Sequence, residues 1–502
     1  MLAWTIYISF LGALVLILLP GGPGRARIIA LLTAVAGFAV TLAGFIQQRS
    51  GELVTVARIS WVPTLGLEYH LAADGISLTL LLLTGIVAIA GILFSWNIEY
   101  RAKEFFAFYL ALIGGVYGVF LSFDLLLLFV FYEIAIIPKY FLIAIWGSTR
   151  REYAAMKLAL YSFVGSAMVL IGLIAAYVVA GARTMDLVQL ARFPFPVHFQ
   201  MWAFPLVFVG FGILAGLWPF HTWAPTGHVA APTAASMLLA GVVMKLGAYG
   251  CLRVAMILFP RGLDAWGFHV LGFGSWRDVF ALLALIGIVY GAMVALVQKD
   301  FKFVIGYSSV SHMGFVLLGL MTLQQTGLDG AVLQMFSHGI LAGLLFAVVG
   351  RMVYDRTHTR DLPELERMHL SKAIPFAAAT FVVAGMASIG LPGFSGFVAE
   401  LQILIGAWHA FPLFAIVAGA GIVIGIAYTW RAMQKAFFST PDHDISTVAS
   451  ALSPISIPER IGAIILTCAS IIIGLYPQLL LRVIVPAFHS PLFDGLWKGA
   501  VR

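Results

Sequence analysis

Long apolar runs recur along almost the whole chain, and short stretches that contain Arg, Lys, Pro or Gly separate them. A helix needs about 20 apolar residues to cross the hydrocarbon core of a bilayer, and most of the runs have about that length. We therefore predict an all-α polytopic membrane protein of about 14 transmembrane helices. The predicted spans lie near 2–20, 27–47, 74–95, 105–121, 123–146, 154–180, 201–218, 232–258, 276–297, 302–322, 328–354, 372–408, 411–437 and 459–485.

Two of these runs contain strong helix breakers. The run over 372–408 is too long for one straight crossing and includes Leu391-Pro392-Gly393, while the seventh run ends at Trp218-Pro219 before helix-like sequence resumes. A broken helix is tolerated in the membrane only where protein or water satisfies the freed backbone groups. Helices seven and twelve are therefore predicted to be discontinuous.

Short matches between the two halves share nearly one offset. The prolines of the two breaks, Pro219 and Pro392, are 173 residues apart, and Tyr161-Ser162 and Phe336-Ser337 are 175 apart. The shared offset indicates two five-helix units, helices 4–8 and 9–13, and an odd helix number gives them opposite orientations. The predicted segments are 1–100 (three N-terminal helices), 101–258 (first repeat), 276–437 (second repeat) and 438–502 (last helix and tail).

Composition and charge agree with a membrane location. The 502 residues are 62% hydrophobic and only 10% charged, whereas soluble domains are about 25% charged. The first run, Met1–Leu19, lacks a basic leading region and is interpreted as a membrane helix rather than a cleaved signal. Alternate loops hold seventeen of the 29 Lys and Arg residues and the others ten, which predicts both termini on the outer face. The net charge of +7 is thus attributed to topology, not to nucleic-acid binding.

Few features point to a bound cofactor. Cys251 and Cys468 are the only cysteines, which excludes an iron–sulfur cluster held by cysteines of this chain alone. No phosphate loop, nucleophile elbow or dinucleotide fingerprint occurs. His221 and His228 have no further metal ligands among their sequence neighbours. We expect neither a cofactor nor a metal site in this chain.

Four titratable residues lie in the middle of apolar runs, namely Glu133, Lys245, His338 and Glu400. A charge at bilayer depth costs several kcal/mol and persists only beside a partner or a water-filled cavity. Because burial favours the neutral form of an acid or an amine, such groups can take up and release protons. A structural ion pair at Glu133 and a packed histidine at His338 are the alternatives. The pattern favours a protein that moves protons along one row of hydrated sites.

A fifth candidate, His312, ends the polar stretch Tyr307-Ser308-Ser309-Val310-Ser311 within a predicted span. A row of hydroxyl groups can hold a chain of water molecules, and it can equally reflect close packing between helices that carry small side chains. Both interpretations of His312 remain open.

Several short stretches together resemble one known family. They are Phe131-Tyr132-Glu133, Ile137-Pro138, Trp146-Gly147, Arg151-Glu152-Tyr153-Ala154-Ala155, Pro219-Phe220-His221-Thr222-Trp223, Ala231-Pro232-Thr233-Ala234, Leu239-Ala240-Gly241, Lys245-Leu246-Gly247, Tyr307-Ser308-Ser309-Val310-Ser311-His312-Met313-Gly314, His358-Thr359-Arg360-Asp361 and Leu391-Pro392-Gly393. Over roughly residues 70–430 the chain closely resembles the subunit M branch of the antiporter-like membrane subunits of respiratory complex I.

The resemblance implies a fold and a function. The fold has fourteen helices, two inverted five-helix repeats and broken helices seven and twelve. The function is proton translocation in the membrane arm of an NADH–quinone oxidoreductase, beside L-like and N-like antiporter subunits in a bacterial inner membrane or an equivalent energy-conserving membrane. NADH, FMN, iron–sulfur clusters and quinone are expected in partner subunits. Glu133, Lys245, His338 and Glu400 match the family's central polar row, and His312 matches its tenth-helix histidine.

One position departs from the family pattern. The family has a lysine five residues before the Pro219 position, whereas this chain has Leu214 there. A different lysine, Lys139, stands six residues after Glu133, which places it about 240° around the helix and ~9 Å along it. Direct pairing of Lys139 with Glu133 is therefore unfavourable unless Pro138 bends the helix. Replacement of the missing lysine by Lys139 is a hypothesis.

Other classes of function remain as alternatives. Subunits of multisubunit cation/proton antiporters and of membrane-bound hydrogenases share the fold that the resemblance implies. A stand-alone secondary transporter is a further alternative, although no binding motif for an organic solute is evident. The last alternative is a scaffold subunit that does not pump protons, because Leu214 stands where the family has a lysine.

Overall fold

The computed structural model describes residues 1–48, 50–264, 274–439 and 452–500. In this part of the chain, twelve helices are long and apolar enough to cross a membrane, and α1 and the two halves of α12 are shorter apolar helices. The helices are α1 (Trp4–Leu18), α2 (Pro23–Gln47), α3 (Gly75–Phe94), α4 (Ala102–Leu121), α5 (Leu125–Trp146), α6 (Arg151–Val179), α7 (Val197–Ala230), α8 (Thr233–Met256), α9 (Trp276–Val297), α10 (Phe301–Met321), α11 (Gln325–Thr357), α12a (Pro375–Ser388), α12b (Ser395–Ala410), α13 (Pro412–Phe437) and α14 (Ile457–Leu475). The predicted polytopic fold of about fourteen membrane helices is confirmed.

Smaller elements complete the described chain. Two antiparallel strands, β1 (Val54–Val62) and β2 (Leu67–Ala73), form a hairpin between α2 and α3. Two further helices follow α14, namely α15 (Gln478–Phe488) and α16 (Asp494–Ala500). Short helices occupy Leu187–Leu190, Pro260–Leu263, Leu362–Glu366 and Leu370–Ala373.

The last predicted span is wrong as one continuous helix over 459–485. Helix α14 ends at Leu475 and α15 begins at Gln478. Tyr476 lies between the two helices and precedes Pro477. Its backbone has φ −132° and ψ 68°, outside the helical region. A proline disfavours helical geometry at the residue before it, and Pro477 therefore separates two helices whose combined sequence is uniformly apolar.

The two predicted interruptions share one geometry. Gly216 has φ +84° at the end of the first half of α7 (Val197–Ala215), and Gly390 has φ +78° after α12a. The residue after each glycine donates its backbone N–H to the carbonyl five residues earlier. Leu217 donates to Gly212 at 2.9 Å, and Leu391 donates to Met386 at 3.1 Å. A left-handed glycine followed by this bond is a common way to end a helix. Both α7 and α12 are thus discontinuous, as predicted.

Equivalent contacts also occur at the starts of α5 and α10. Leu125 donates its backbone N–H to Met185 at 2.9 Å, and Phe301 donates to Arg360 at 2.8 Å. Leu125 and Phe301 are 176 positions apart in the chain, and their partners Met185 and Arg360 are 175 apart. Both distances are close to the offset of the sequence matches. Because the two contacts lie on opposite faces of the bundle, they support two inverted units. The segment boundaries given above remain predictions.

The bundle has two faces that differ in their connections. The hairpin face carries β1 and β2 with the connections 122–124 and 180–196, and Phe123 donates its backbone N–H to His70 there. The basic face carries the connections 95–101, 147–150, 231–232, 298–300 and 358–374. Ser148 donates its backbone N–H to Ala230 at 2.7 Å on this face, and Arg360 pairs with Asp300 at 3.1 Å.

Burial places the centre of the bundle around α3, α8 and α11. The most apolar stretches of α8 and α11 are enclosed entirely by other helices, whereas α2, α13 and α14 leave most of theirs exposed. An apolar exterior with an enclosed centre is the arrangement that a bilayer requires. Side chains of α8 and α11 are consequently shielded from lipid.

Candidate functional site

Lys245 lies in the enclosed centre on α8. Its side chain is fully buried, its ammonium donates a hydrogen bond to the Ala240 carbonyl, and its Nζ is 2.8 Å from Nδ1 of His338 on α11. The turn Leu239–Val243 just before it is π-helical, a widened geometry that often marks functional sites in helices. The position of Lys245 thus meets the requirement that a buried charge has polar partners.

Two histidines connect Lys245 to Glu400. The rings of His338 and His312 stack with their centroids 5.4 Å apart and an interplanar angle of 29°. Nδ1 of His312 is 3.0 Å from Oε1 of Glu400, and its Nε2 is 3.2 Å from the Ser388 hydroxyl. Gln334 donates a further hydrogen bond to Glu400 at 3.2 Å. The structure therefore brings four predicted residues into one row of contacts, here called the central row: Lys245, His338, His312 and Glu400.

The break in α12 makes room for the carboxylate at the end of the central row. Glu400 follows the start of α12b by five residues and is buried. A Cβ atom at Gly390 would lie 3.2 Å from Oε2 of Glu400, and its positive φ also disfavours other residues. Glycine at position 390 therefore lets the helix end in a left-handed conformation and leaves room for the Glu400 side chain.

Glu133 and Lys139 lie in a second group between α5 and α6. Lys139 is 1% exposed and donates to the hydroxyl of Ser162 at 3.2 Å. Ser166, one turn further along α6, has a buried hydroxyl near the Glu133 carboxylate, on which the Lys139 charge also acts, but this hydroxyl has no hydrogen-bond partner in the described chain. Oε1 of Glu133 is buried and has no hydrogen-bond partner in the described chain. We call Glu133, Lys139, Ser162 and Ser166 the α5–α6 group.

Apolar side chains of α7 separate the two groups. Phe211 packs edge-on against Tyr132 of α5, with ring centroids 5.5 Å apart, and also against Gly250 of α8. Leu214, which replaces the family's lysine, is 2% exposed and its backbone packs against Gly247. The structure thus does not bring Glu133 or Lys139 into contact with the central row.

A cavity of about 260 Å³ opens on the basic face near the start of α10. Its lining includes Thr233 and Lys302, and the Lys302 side chain is almost fully buried. His228 is fully buried in the second half of α7 (Trp223–Ala230), and its charge interactions include both Lys302 and Lys245. Both ring nitrogens of His228 lack hydrogen-bond partners in the described chain. The sequence did not reveal these buried residues, because Lys302 counts as a loop lysine and the sequence neighbours of His228 offer no further metal ligand.

A buried ion pair lies between the central row and the hairpin face. Arg253 and Asp74 are both fully buried and bonded to each other, and Arg253 also donates to the Tyr249 hydroxyl at 3.3 Å. Tyr249 further contacts the Ser77 hydroxyl at 3.2 Å. Arg253 is a charged residue inside a predicted apolar run, which is the sequence signal that could have revealed it.

An enclosed row of titratable side chains beside two interrupted helices defines an antiporter-like membrane subunit. Residues 122–425 match the family described as NADH:quinone oxidoreductase/Mrp antiporter, TM, and the chain belongs to this family, within its subunit M (chain 4) branch. The family resemblance predicted from the sequence is confirmed.

Named relatives support this assignment. The chain is 36% identical over 492 residues to NAD(P)H-quinone oxidoreductase chain 4 1 of Synechococcus elongatus, which covers 96% of this chain and 89% of that protein. It is 36% identical over 485 residues to NADH-quinone oxidoreductase subunit M of Rhodobacter capsulatus, and this match covers 93% of this chain and 90% of that protein. The chain is thus similar to subunits of an enzyme complex over nearly its whole length.

Solved structures show the same fold. A chain of respiratory complex I from Thermus thermophilus with bound NADH superposes with a TM-score of 0.87 at 27% identity, over 98% of this chain and 100% of that chain. A chain of the Mrp complex from Dietzia sp. gives a TM-score of 0.83 at 21% identity, over 99% and 98% of the two chains. The second likeness concerns the fold alone.

Proposed function

We propose that this chain is a proton-translocating subunit of a complex I type NADH–quinone oxidoreductase. The observation that carries the proposal is the contact row from Lys245 through His338 and His312 to Glu400, enclosed within the bundle. All four side chains can bind and release a proton, and three helices and one broken helix hold them in sequence. No redox centre is assigned to this chain, and NADH, FMN, iron–sulfur clusters and quinone belong to partner subunits.

Protons move along the central row by charge coupling between neighbours. A neutral Lys245 accepts a proton and passes it to Nδ1 of His338, which releases the proton of its unpartnered Nε2 to internal water. His312 passes the proton of Nδ1 to Glu400 and takes up a proton from the same water. Two unit charges about 5 Å apart interact by about 3 kcal/mol at an effective dielectric constant near 20. Protonation of one site therefore makes protonation of the next less favourable, and the row titrates as a coupled unit.

The cavity on the basic face supplies the uptake route. A proton enters beside Lys302, passes His228 and reaches Lys245, in agreement with the charge interactions that connect these residues. Release occurs beyond Glu400 towards the hairpin face. The excess of Lys and Arg supports the basic face as the inner side, with both termini on the outer side of a bacterial inner or equivalent membrane.

Lys139 replaces the lysine that the family has at the Leu214 position. Its ammonium reaches Ser162, and Ser166 one turn away lies beside the Glu133 carboxylate. The Lys139 charge acts on the Glu133 carboxylate without a direct ion pair and without a hydrogen bond from the Ser166 hydroxyl. Glu133 and Lys139 thus form a second proton-binding pair, next to the L-like and N-like antiporter subunits that flank this chain in the membrane arm.

Proton pumping by the intact complex in proteoliposomes tests this proposal. We expect Lys245→Ala and Glu133→Gln each to lower the number of protons moved per NADH oxidised, because each removes a proton-binding site. Lys435→Ala is the matched control, since Lys435 pairs with Glu366 at the basic face outside the central row. Normal stoichiometry in both site variants would favour a scaffold without pumping, the alternative that Leu214 supports.

A further inference from the structure

The loop between α1 and α2 lies on the basic face. The hydroxyl of Tyr7, near the start of α1, is 2.9 Å from that of Tyr69 in β2, so α1 begins at the hairpin face and ends at the opposite one. Arg27, near the start of α2, donates to the Ile98 carbonyl at 3.0 Å, and Ile98 belongs to the 95–101 connection of the basic face. The residues around this loop therefore lie where the helices meet the membrane surface.

A cavity of about 250 Å³ lies between α1 and α2 at this level. Deeper in the membrane the two helices touch, because a Cβ atom at Gly12 would lie 2.5 Å from the Thr33 side chain. One turn closer to the basic face, Leu16 and Ile29 instead line the cavity, and Leu16 is only 2% exposed. The helices thus pack closely in the middle of the membrane and leave an opening with an apolar floor near its surface.

Two basic side chains from different helices line this cavity. Arg25 comes from the first turn of α2, and Lys103 comes from the first turn of α4. Within the part of the chain that the structure describes, neither side chain has a hydrogen bond or an ion pair, and the cavity lining includes no Asp or Glu. Glu104, the acid next to Lys103, pairs with Arg101 at 3.4 Å. The cavity therefore presents two uncompensated positive charges above its apolar floor.

The aliphatic part of Arg25 packs on the loop, whereas its charged end is free. A Cβ atom at Gly21 would lie 3.1 Å from Cδ of Arg25, so the stem of this side chain rests on the glycine. Ala26, the next residue, is 2% exposed and adds to the apolar lining. A basic side chain at a membrane surface commonly buries its stem and keeps its charged group in the polar region. The guanidinium of Arg25 is thus available to an anion.

Apolar stripes run along the outer sides of both helices beside the cavity. Exposed side chains four residues apart share one helix face, and each helix has such a pair, Leu14 and Leu18 on α1 and Ile28 and Leu32 on α2. In a bilayer, exposed apolar side chains of this kind contact acyl chains. The cavity and the stripes together suit a molecule that has an anionic head at the membrane surface and long apolar chains within the membrane.

We propose that this cavity binds the headgroup of an anionic phospholipid from the leaflet at the basic face. The headgroup phosphate accepts hydrogen bonds from Arg25 and Lys103, and the acyl chains follow the two apolar stripes. Arginine suits this role because its guanidinium can donate two parallel hydrogen bonds to a phosphate. Basic pockets between membrane helices bind anionic lipids in the same way. The bound lipid joins α2 to α4 and is separate from the residues that move protons.

Photolabelling of the intact complex in proteoliposomes tests this site. The probe is phosphatidylglycerol with a photoreactive group in one acyl chain, present at a small mole fraction in phosphatidylcholine, and mass spectrometry maps its adducts on this chain. We expect adducts on the facing sides of α1 and α2. Excess unlabelled phosphatidylglycerol should displace the probe, whereas excess glycerol phosphate should not, because the acyl chains contribute to binding.

Two double variants separate a specific site from general surface charge. Each basic side chain near anionic lipid contributes about fivefold in affinity, so Arg25→Gln combined with Lys103→Gln should weaken the labelling about 25-fold. Arg150→Gln combined with Lys372→Gln is the matched control, because both residues are exposed on the basic face and do not line the cavity. The control loses the same charge and should label normally. Without phosphatidylglycerol, both variants should keep the melting temperature of the unmodified protein, which excludes misfolding.

The outcomes decide between a lipid and the other possible occupants. Selective loss of labelling in the Arg25 and Lys103 double variant supports the lipid site. Equal loss in both double variants would assign the attraction to the charge of the whole face and overturn the site. Displacement of the probe by glycerol phosphate would assign the cavity to a soluble phosphate. Absence of lipid adducts on α1 and α2 in the intact complex would mean that a partner subunit covers the cavity, which also overturns the proposal.

Discussion

At the scale of single residues, partners decide which titratable groups a membrane helix can hold. An isolated buried ammonium is costly, and Lys245 offsets this cost with a backbone carbonyl and an imidazole nitrogen. Glu400 likewise has two donors, from His312 and Gln334. Lys245 and Glu400 could be recognised in the sequence because apolar residues surround them. It did not reveal Gln334 as a partner, because a glutamine in a helix is compatible with many environments.

His312→Gln tests whether the central row needs a titratable ring. Glutamine can still donate a hydrogen bond to Glu400 but cannot carry a proton at neutral pH. We expect proton pumping to fall severalfold while the complex still assembles, measured as protons moved per NADH in proteoliposomes. His409→Gln, at the exposed end of α12b, is the control and should pump normally. Equal pumping by both variants would contradict a relay through His312.

Gly390→Ala tests the space at the α12 break. A left-handed conformation costs a residue with a side chain about 1–2 kcal/mol, and the new Cβ atom would also lie 3.2 Å from the Glu400 carboxylate. We expect a lower melting temperature in detergent and weaker pumping. Gly419→Ala in α13 is the control, because its Cβ atom would meet no atom within 4 Å. An unchanged melting temperature in Gly390→Ala would refute the argument.

At the scale of elements, hydrophobic length predicted nearly every membrane helix, and glycine with proline predicted both breaks. The hairpin was missed because its two short strands lie between two strong helical signals. Gly66, with φ +63°, forms its turn, and a Cβ atom there would overlap the Arg183 carbonyl. The π-helical turns of α8 were also missed, since their residues do not differ from those of an ordinary apolar helix.

The hairpin depends on a buried acid outside the membrane-spanning helices. Burial alone would raise the pKa of the Asp186 carboxyl, but the hydrogen bond with His70, the Gln189 N–H and the charges of His70 and Arg58 hold it below its usual value. Nδ1 of His70 is 2.6 Å from Asp186. Because the folded pKa is lowered, the stabilisation is fully present above the unfolded pKa of about 3.9 and is lost as pH falls through the folded value.

Asp186→Asn should therefore lower the melting temperature near neutral pH, and the difference should shrink as the pH falls below about 4. A hydrogen bond to a charged group contributes about 1.5–3 kcal/mol, so the difference should be measurable by scanning fluorimetry. Glu104→Gln is the control, because Glu104 forms an exposed pair with Arg101 that contributes little. A difference that grows as the pH falls towards 4 would have the wrong sign for this explanation.

At the scale of the whole molecule, the buried titratable side chains form two groups, the α5–α6 group and the central row. The sequence predicted Glu133, Lys245, His338 and Glu400 as one row, with His312 and Lys139 as further candidates. The structure instead places Phe211 of α7 between Tyr132 of α5 and Gly250 of α8, and the hydrogen bonds of the described residues do not join the α5–α6 group to the central row. Sequence spacing could not show this separation, because it depends on how three helices pack.

Leu214→Lys tests whether the position of the lysine or only its charge matters. Leu214 is buried on α7 and its backbone packs against Gly247 of α8, so a lysine here would add a buried amine beside α8. We expect Leu214→Lys to restore pumping to Lys139→Ala, because Glu133 regains a cationic neighbour at the position that the family uses. Leu214→Met, of similar length but without charge, should not restore it. Recovery with methionine, or none with lysine, would show that Lys139 does not act as the partner of Glu133.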